Sequence, residues 1–141
     1  MAGKILLEVV TPEKLLFSQQ VDEVIAPGSE GEFGVLPGHC HFLSTLRIGE
    51  LRYRIGSDTY RMAVLWGFTE VTPHKVTIMA EVAEKAEDID MGRAQAALEK
   101  AEQRLKAGGL PSEVREAEIS LEKARLRTKI AQRSQESVHR S

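Results

Sequence analysis

The sequence predicts an all-β unit joined to an α unit: an N-terminal antiparallel β-sandwich over residues 1–86, then a C-terminal antiparallel helical hairpin over residues 87–141. Two observations carry this. Every aromatic residue lies at or before Phe68, together with most of the glycines. The hydrophobic period then changes from two to about three and a half near Asp88.

In the first unit Leu51, Tyr53 and Ile55 alternate with Arg52 and Arg54. Tyr60, Met62 and Val64 alternate with Arg61 and Ala63, the pattern of strands buried on one face. Gly56-Ser57-Asp58 reads as the hairpin turn between them, and Val71 and Val76 flank a second turn at Pro73-His74. Pro27-Gly28 and Pro37-Gly38 punctuate the earlier strands. In the second unit Met91, Ala94, Leu98, Ala101 and Leu105 form one stripe. Val114, Ala117, Leu121, Ala124, Thr128 and Ala131 form another, both with the spacing of a coiled-coil seam. Gly108-Gly109 stops the first helix and Pro111-Ser112 starts the second. A seam made largely of Ala removes little apolar surface from water, so the hairpin is expected to be marginal by itself. Gly92 is read as a glycine in the interior of the first helix, costing ~1 kcal/mol relative to Ala.

The composition excludes several classes. A net charge of -2 supplies no basic field for nucleic acid, and no aromatic residue accompanies the basic stretch to stack on bases. The single cysteine, Cys40, excludes an internal disulfide framework and a four-thiolate zinc site, and fits a reducing compartment. The longest apolar run, Met62 to Trp66, is far short of the ~20 residues of a membrane span, and Glu8 interrupts any secretory signal. Direct insertion into a membrane is not expected.

Local chemistry gives no case for an enzyme. Gly-x-Ser-x-Gly is absent, and His39, His41, His74 and His139 are scattered. His39-Cys40-His41 could present two ring nitrogens on one edge but lacks third and fourth metal ligands, so it reads as a loop entering a strand, with no metal. Gly28 to Gly34 has the glycines of a phosphate loop but lacks its Gly-Lys-Ser/Thr run, and its two carboxylates would repel phosphate, so it reads as a turn. The second helix is polarised, with Glu113, Glu116, Glu118 and Glu122 followed by Lys123, Arg125, Arg127, Lys129 and Arg133. Macrodipole matching is one reading of that polarity; the other, since five basic residues without an acid exceed what a helix end needs, is an acidic partner surface or a polyphosphate.

Val10-Thr11-Pro12, the run Gly31-Glu32-Phe33-Gly34-Val35-Leu36-Pro37-Gly38-His39, Trp66 to Val71, Lys75 to Ile78 and Ala86 to Asp90 together resemble the epsilon subunits of F-type ATP synthases, along the whole chain. The resemblance implies a non-catalytic central-stalk subunit. The sandwich would bind the gamma subunit and sit on the ring of c subunits, coupling proton flow to rotation. The hairpin would extend into the catalytic head and inhibit ATP hydrolysis by meeting an acidic segment of beta, beside alpha. Such a protein is peripheral on the cytoplasmic face of the bacterial inner membrane.

Carried onto this chain, Glu32, in a turn, would face a c-subunit loop, with His39 as a further partner contact. Lys123, Arg125, Arg127, Lys129 and Arg133 would supply the basic contacts. No cofactor is required. Ile89-Asp90-Met91-Gly92-Arg93-Ala94 fits the motif by which some members bind ATP on the folded hairpin, so ATP is expected as a weak regulatory ligand held by Ile89, Asp90, Arg93, Ala94, Lys123 and Arg127. Lys100 and Lys123 stand where ATP-binding relatives tend to carry Arg. Ile89, Arg93 and Ala94 equally serve to begin and pack a helix. The alternative function is a free ATP-sensing hairpin protein acting outside any complex.

Overall fold

The computed structural model describes the backbone of residues 3–140 and the side chains of residues 3–133. The chain divides into two compact units, Met1–Lys85 and Ala86–Ser141.

The first unit contains β1 (Ile5–Val10), β2 (Leu15–Val21), β3 (Glu23–Gly28), β4 (Gly31–Val35), β5 (Phe42–Leu46), β6 (Gly49–Ile55), β7 (Asp58–Val71) and β8 (Lys75–Lys85). They hydrogen-bond in the order β2-β1-β8-β7-β5-β3-β4, while β6 pairs with β3 and β7. This layout depends on β7. Its first half pairs with β6 (Gly49↔Val64 to Ile55↔Asp58) and its second half with β5 (Leu46↔Gly67 to Phe42↔Val71), so one long strand serves two successive partners along the same edge. The change of partner falls at Trp66 and Gly67, both with positive φ (51° and 145°). Gly67 is obligatory there, because a Cβ would lie 1.9 Å from the Met79 carbonyl oxygen on β8. The enclosed core gathers Ile5, Leu7, Val9, Val24, Leu51, Met62, Val64, Val76 and Ile78. Tyr53 packs between Phe17 (centroids 4.9 Å apart) and Tyr60 (5.3 Å, stacked).

Both expected hairpins form. Ile55 pairs with Asp58 across Gly56-Ser57, and Val71 with Val76 across the Pro73-His74 turn. Asp22 fastens the first of these turns from outside: its carboxylate accepts from the Gly56 amide (2.7 Å) and from Lys4 Nζ (3.1 Å). These two hydrogen bonds hold its pKa below the ordinary aspartate value.

Two details differ from the sequence reading. The sandwich is not wholly antiparallel, since β1 runs parallel to β8 (Leu6↔Lys75 to Val10↔Met79). The chain between them is the rest of the domain, far more than the crossover a parallel pair needs. Strand β7 also does not alternate in burial, because Met62, Ala63, Val64 and Leu65 are all buried and Tyr60 is exposed. A strand covered on both faces reads as a continuous apolar run.

The second unit opens with a 3-10 turn, Ala86–Asp88, followed by α1 (Met91–Ala107) and α2 (Pro111–Arg140). Asp90 caps α1 by accepting from the Arg93 amide at 3.0 Å. Gly92 therefore stands in the first turn and not in the helix interior. Gly108 ends α1 at φ 71°. Pro111 occupies the first position of α2, where its missing N–H costs nothing, and Glu113 Oε1 reaches back to the Leu110 amide at 3.3 Å. The expected seam is present. Ala94 and Ala101 of α1, and Ala117, Leu121, Ala124, Thr128 and Ala131 of α2, are buried. Ile130, outside both expected stripes, is buried as well.

Candidate functional site

In the first unit the chemistry-bearing surface is one face of β4, β6 and β7. Glu32 lies within β4, paired with Pro27, and not in the expected turn, because the reversal is made by Ser29-Glu30 just before it. Its carboxylate is gripped by Arg52 of β6, Nη1 to Oε2 at 3.1 Å and Nη2 to Oε1 at 3.2 Å. Arg52 Nη1 also reaches Glu50 Oε1 at 3.3 Å, and Arg61 Nε donates to that same oxygen at 3.2 Å. Glu50 is a buried acid, which two guanidinium partners make tolerable. For Arg52, burial works against the charged form, but hydrogen bonds to Glu32 and Glu50 outweigh it and raise its pKa.

His39 lies at the other end of β4, in the loop before β5. Its Nδ1 is 2.9 Å from the Cys40 carbonyl and its ring is 5.5 Å from that of Phe42. The loop is tied down by the Gly38 amide donating to Pro73 O at 2.9 Å. Elsewhere on the sandwich, Val10-Thr11-Pro12, Trp66-Gly67-Phe68 and Met79-Ala80-Glu81 line an open groove of about 590 Å³. Phe68 is 51% exposed and Met79 39%, so the groove is an apolar surface facing solvent.

In the second unit the basic run separates onto two faces. Lys123 and Arg127, one turn apart, line a cleft of about 240 Å³ between the helices, with Lys100 and Arg104 opposite. Arg125 and Lys129, also one turn apart, are exposed, and Arg133 is half-buried. The remaining residues expected to hold ATP do not line the cleft. Ile89 donates its amide to Ala86 O (3.2 Å), Asp90 Oδ1 caps α1, and Ala94 is buried in the seam. Arg93 is exposed, one turn before the cleft residue Ala97. Ala94 thus performs the packing role that the sequence also allowed, while the capping role falls to Asp90, which the sequence reading had assigned only to ATP.

Sequence reasoning missed Arg52, Glu50 and Arg61 as a connected group, and Arg104 as a cleft residue. The available signal was the outward register of Arg52 and Arg61 on adjacent strands, which places them directly opposite each other. No helix among the described residues is long and apolar enough to cross a membrane.

Comparison with known proteins agrees with this architecture. The beta-sandwich domain of the ATP synthase delta/epsilon chain matches residues 4–86, and its long alpha-helix domain matches residues 87–132. The ATP synthase epsilon chain of Syntrophobacter fumaroxidans is 52% identical over 134 residues, covering 95% of this chain and 100% of the relative. That of Geobacter metallireducens is 47% identical, covering 95% and 98%. Among solved structures, a chain of the Euglena gracilis mitochondrial ATP synthase OSCP/F1/c-ring assembly superposes with a TM-score of 0.78 at 25% identity, covering 89% of this chain and 79% of its own. A chain of the Tetrahymena thermophila central stalk/c-ring shares the fold, with a TM-score of 0.59 at 16% identity, covering 92% and 98%. With both domains matched in order and relatives near half identity over almost the full length, the chain belongs to the ATP synthase epsilon-chain family, non-catalytic subunits of that complex.

Proposed function

We propose that this chain is a rotor subunit whose sandwich anchors it to gamma and the c ring, coupling proton flow to rotation, and whose hairpin brakes ATP hydrolysis in the catalytic head. The observation that carries the reading is the second unit: an Ala-lined seam that little apolar area holds shut, with Arg125 and Lys129 exposed on its outer face. Such a hairpin can part at modest cost and offer paired cations to an acidic segment of beta, beside alpha. On the sandwich, the apolar groove at Trp66, Phe68 and Met79 calls for a covering partner, and gamma is the subunit we assign to it. Glu32 and His39 are assigned to the partner-facing surface, Glu32 toward the ring. The setting is the cytoplasmic face of a bacterial inner membrane, with the protein peripheral to it.

The test uses complexes reconstituted with variants and assayed for steady-state ATP hydrolysis. Truncation after Glu87 should preserve assembly while raising hydrolysis, and Arg125→Glu with Lys129→Glu should reproduce most of that rise by replacing attraction with repulsion. Equal rates for wild type and both variants would remove the brake from this reading.

A weak regulatory ATP site is a second proposal, favoured by the cleft that gathers Lys100, Arg104, Lys123 and Arg127 from two helices. Four cations suit a polyphosphate, two of them through the guanidinium fork. ATP held there would link the helices and favour the closed hairpin, with no further cofactor needed. Calorimetric titration should show heat with wild type and less with Arg127→Ala; no heat with either would remove the site.

A further inference from the structure

We infer that Arg52 is a positioning residue, which fixes the Glu32 carboxylate in the orientation it presents to the ring; this rests on the assignment of Glu32 to the ring-facing surface. Strand β3 lies between the two residues, with Pro27 opposite Glu32 and Ile25 opposite Arg52. Arg52 therefore reaches diagonally across a neighbouring strand, and both its terminal nitrogens meet both oxygens of the acid. A two-point fork fixes the plane and direction of a carboxylate, where a single contact would leave it free to turn.

The Glu32 side chain is 46% exposed, whereas that of Glu50 is 4% exposed, so the group runs from the surface inward. Arg52 and Arg61 are directly opposite in the β6–β7 register, a repulsive arrangement by itself. The buried Glu50 carboxylate between them reverses the sign, holding Arg52 by one contact and Arg61 by another. Arg61 thus steadies Glu50, Glu50 steadies Arg52, and Arg52 aims Glu32. Two acids and two bases sum to zero, so this surface offers little net field and acts through an oriented acceptor whose rotamer freedom is already spent.

The experiment is rebinding of the reconstituted stalk assembly to membranes that retain the c ring after removal of head and stalk, read as apparent Kd. Glu32→Gln and Arg52→Gln should each weaken binding roughly twofold to fivefold, the range for a well-formed but partly exposed ionic contact. The double variant should bind no worse than Glu32→Gln alone, because Arg52 acts only through the acid. Arg52→Lys, which keeps the charge beside Glu50 but cannot form the fork, should lie between Arg52→Gln and wild type. Thermal unfolding identifies any variant that fails to fold, and the Lys variant then carries the test. If Glu32→Gln binds like wild type, the ring-facing assignment fails and this inference fails with it. If Glu32→Gln weakens binding but Arg52→Lys binds like wild type, or the Gln losses add, positioning by Arg52 is overturned while the assignment of Glu32 survives.

Discussion

Thr128 places a buried hydroxyl in the otherwise apolar seam of the hairpin. It is buried between Ala124 and Ala131 on the seam side of α2, and its Oγ1 has no hydrogen-bond partner among the described residues. An unpaired buried hydroxyl costs about 1–3 kcal/mol. Thr128→Val replaces that hydroxyl with a methyl of similar size and leaves helix propensity nearly unchanged. The closed hairpin should gain ~1–2 kcal/mol, a large share of what an Ala-lined contact can supply. Thr128→Ser is the matched control, since it keeps the hydroxyl and removes a methyl, and should lose ~1 kcal/mol. Amide hydrogen exchange of α1 and α2 in the full chain reads both: exchange should slow roughly tenfold in Val and quicken several-fold in Ser, at about 1.4 kcal/mol per factor of ten. If the brake needs the hairpin to part, the Val variant should also raise ATP hydrolysis by the reconstituted complex. Exchange that is unchanged or faster in Thr128→Val would mean that the hydroxyl is satisfied, and would refute the reasoning.

Two further predictions concern the sandwich. Gly67→Ala should cost several kcal/mol in thermal unfolding, because its Cβ meets the Met79 backbone oxygen at 1.9 Å, whereas Gly56→Ala, at φ 63° with nothing within 4 Å, should cost only ~1–2 kcal/mol; similar losses at both would show that β7 can shift away from β8. For Asp22, whose folded pKa is depressed by Gly56 and Lys4, the stabilisation is present above the unfolded pKa and disappears as pH falls through the folded one. The Tm advantage of wild type over Asp22→Asn should therefore shrink between about pH 5 and pH 2, and parallel Tm curves across that window would contradict it.

The parts of the fold that were legible in the sequence are those set by neighbouring residues. The turns at Gly56-Ser57 and Pro73-His74 were readable because turn chemistry and the flanking alternation are local, and they fix the registers Ile55↔Asp58 and Val71↔Val76. The seam was readable because Ala and Leu repeat at heptad spacing. The parallel pairing of β1 with β8 was not, since period two states which face a residue takes but not which strand lies beside it or in which direction. The fork on Glu32 was hidden for the same reason: its partner comes from another strand, and only the order β4, β3, β6 brings them together.

The basic run of α2 shows how such a limit affects a functional reading. In sequence, Lys123 to Arg133 is a single block of charge, which invites a single partner. The helical period divides it, sending Lys123 and Arg127 into the cleft with Lys100 and Arg104 and leaving Arg125 and Lys129 exposed. An anion in the cleft and an acidic surface outside would then draw on different side chains. The two proposed tasks, restraint of the closed hairpin and contact with the head, can accordingly be separated by mutation. Charge reversal at 125 and 129 should release the brake without touching the cleft, while loss of Arg127 should weaken the cleft and leave the outer pair intact.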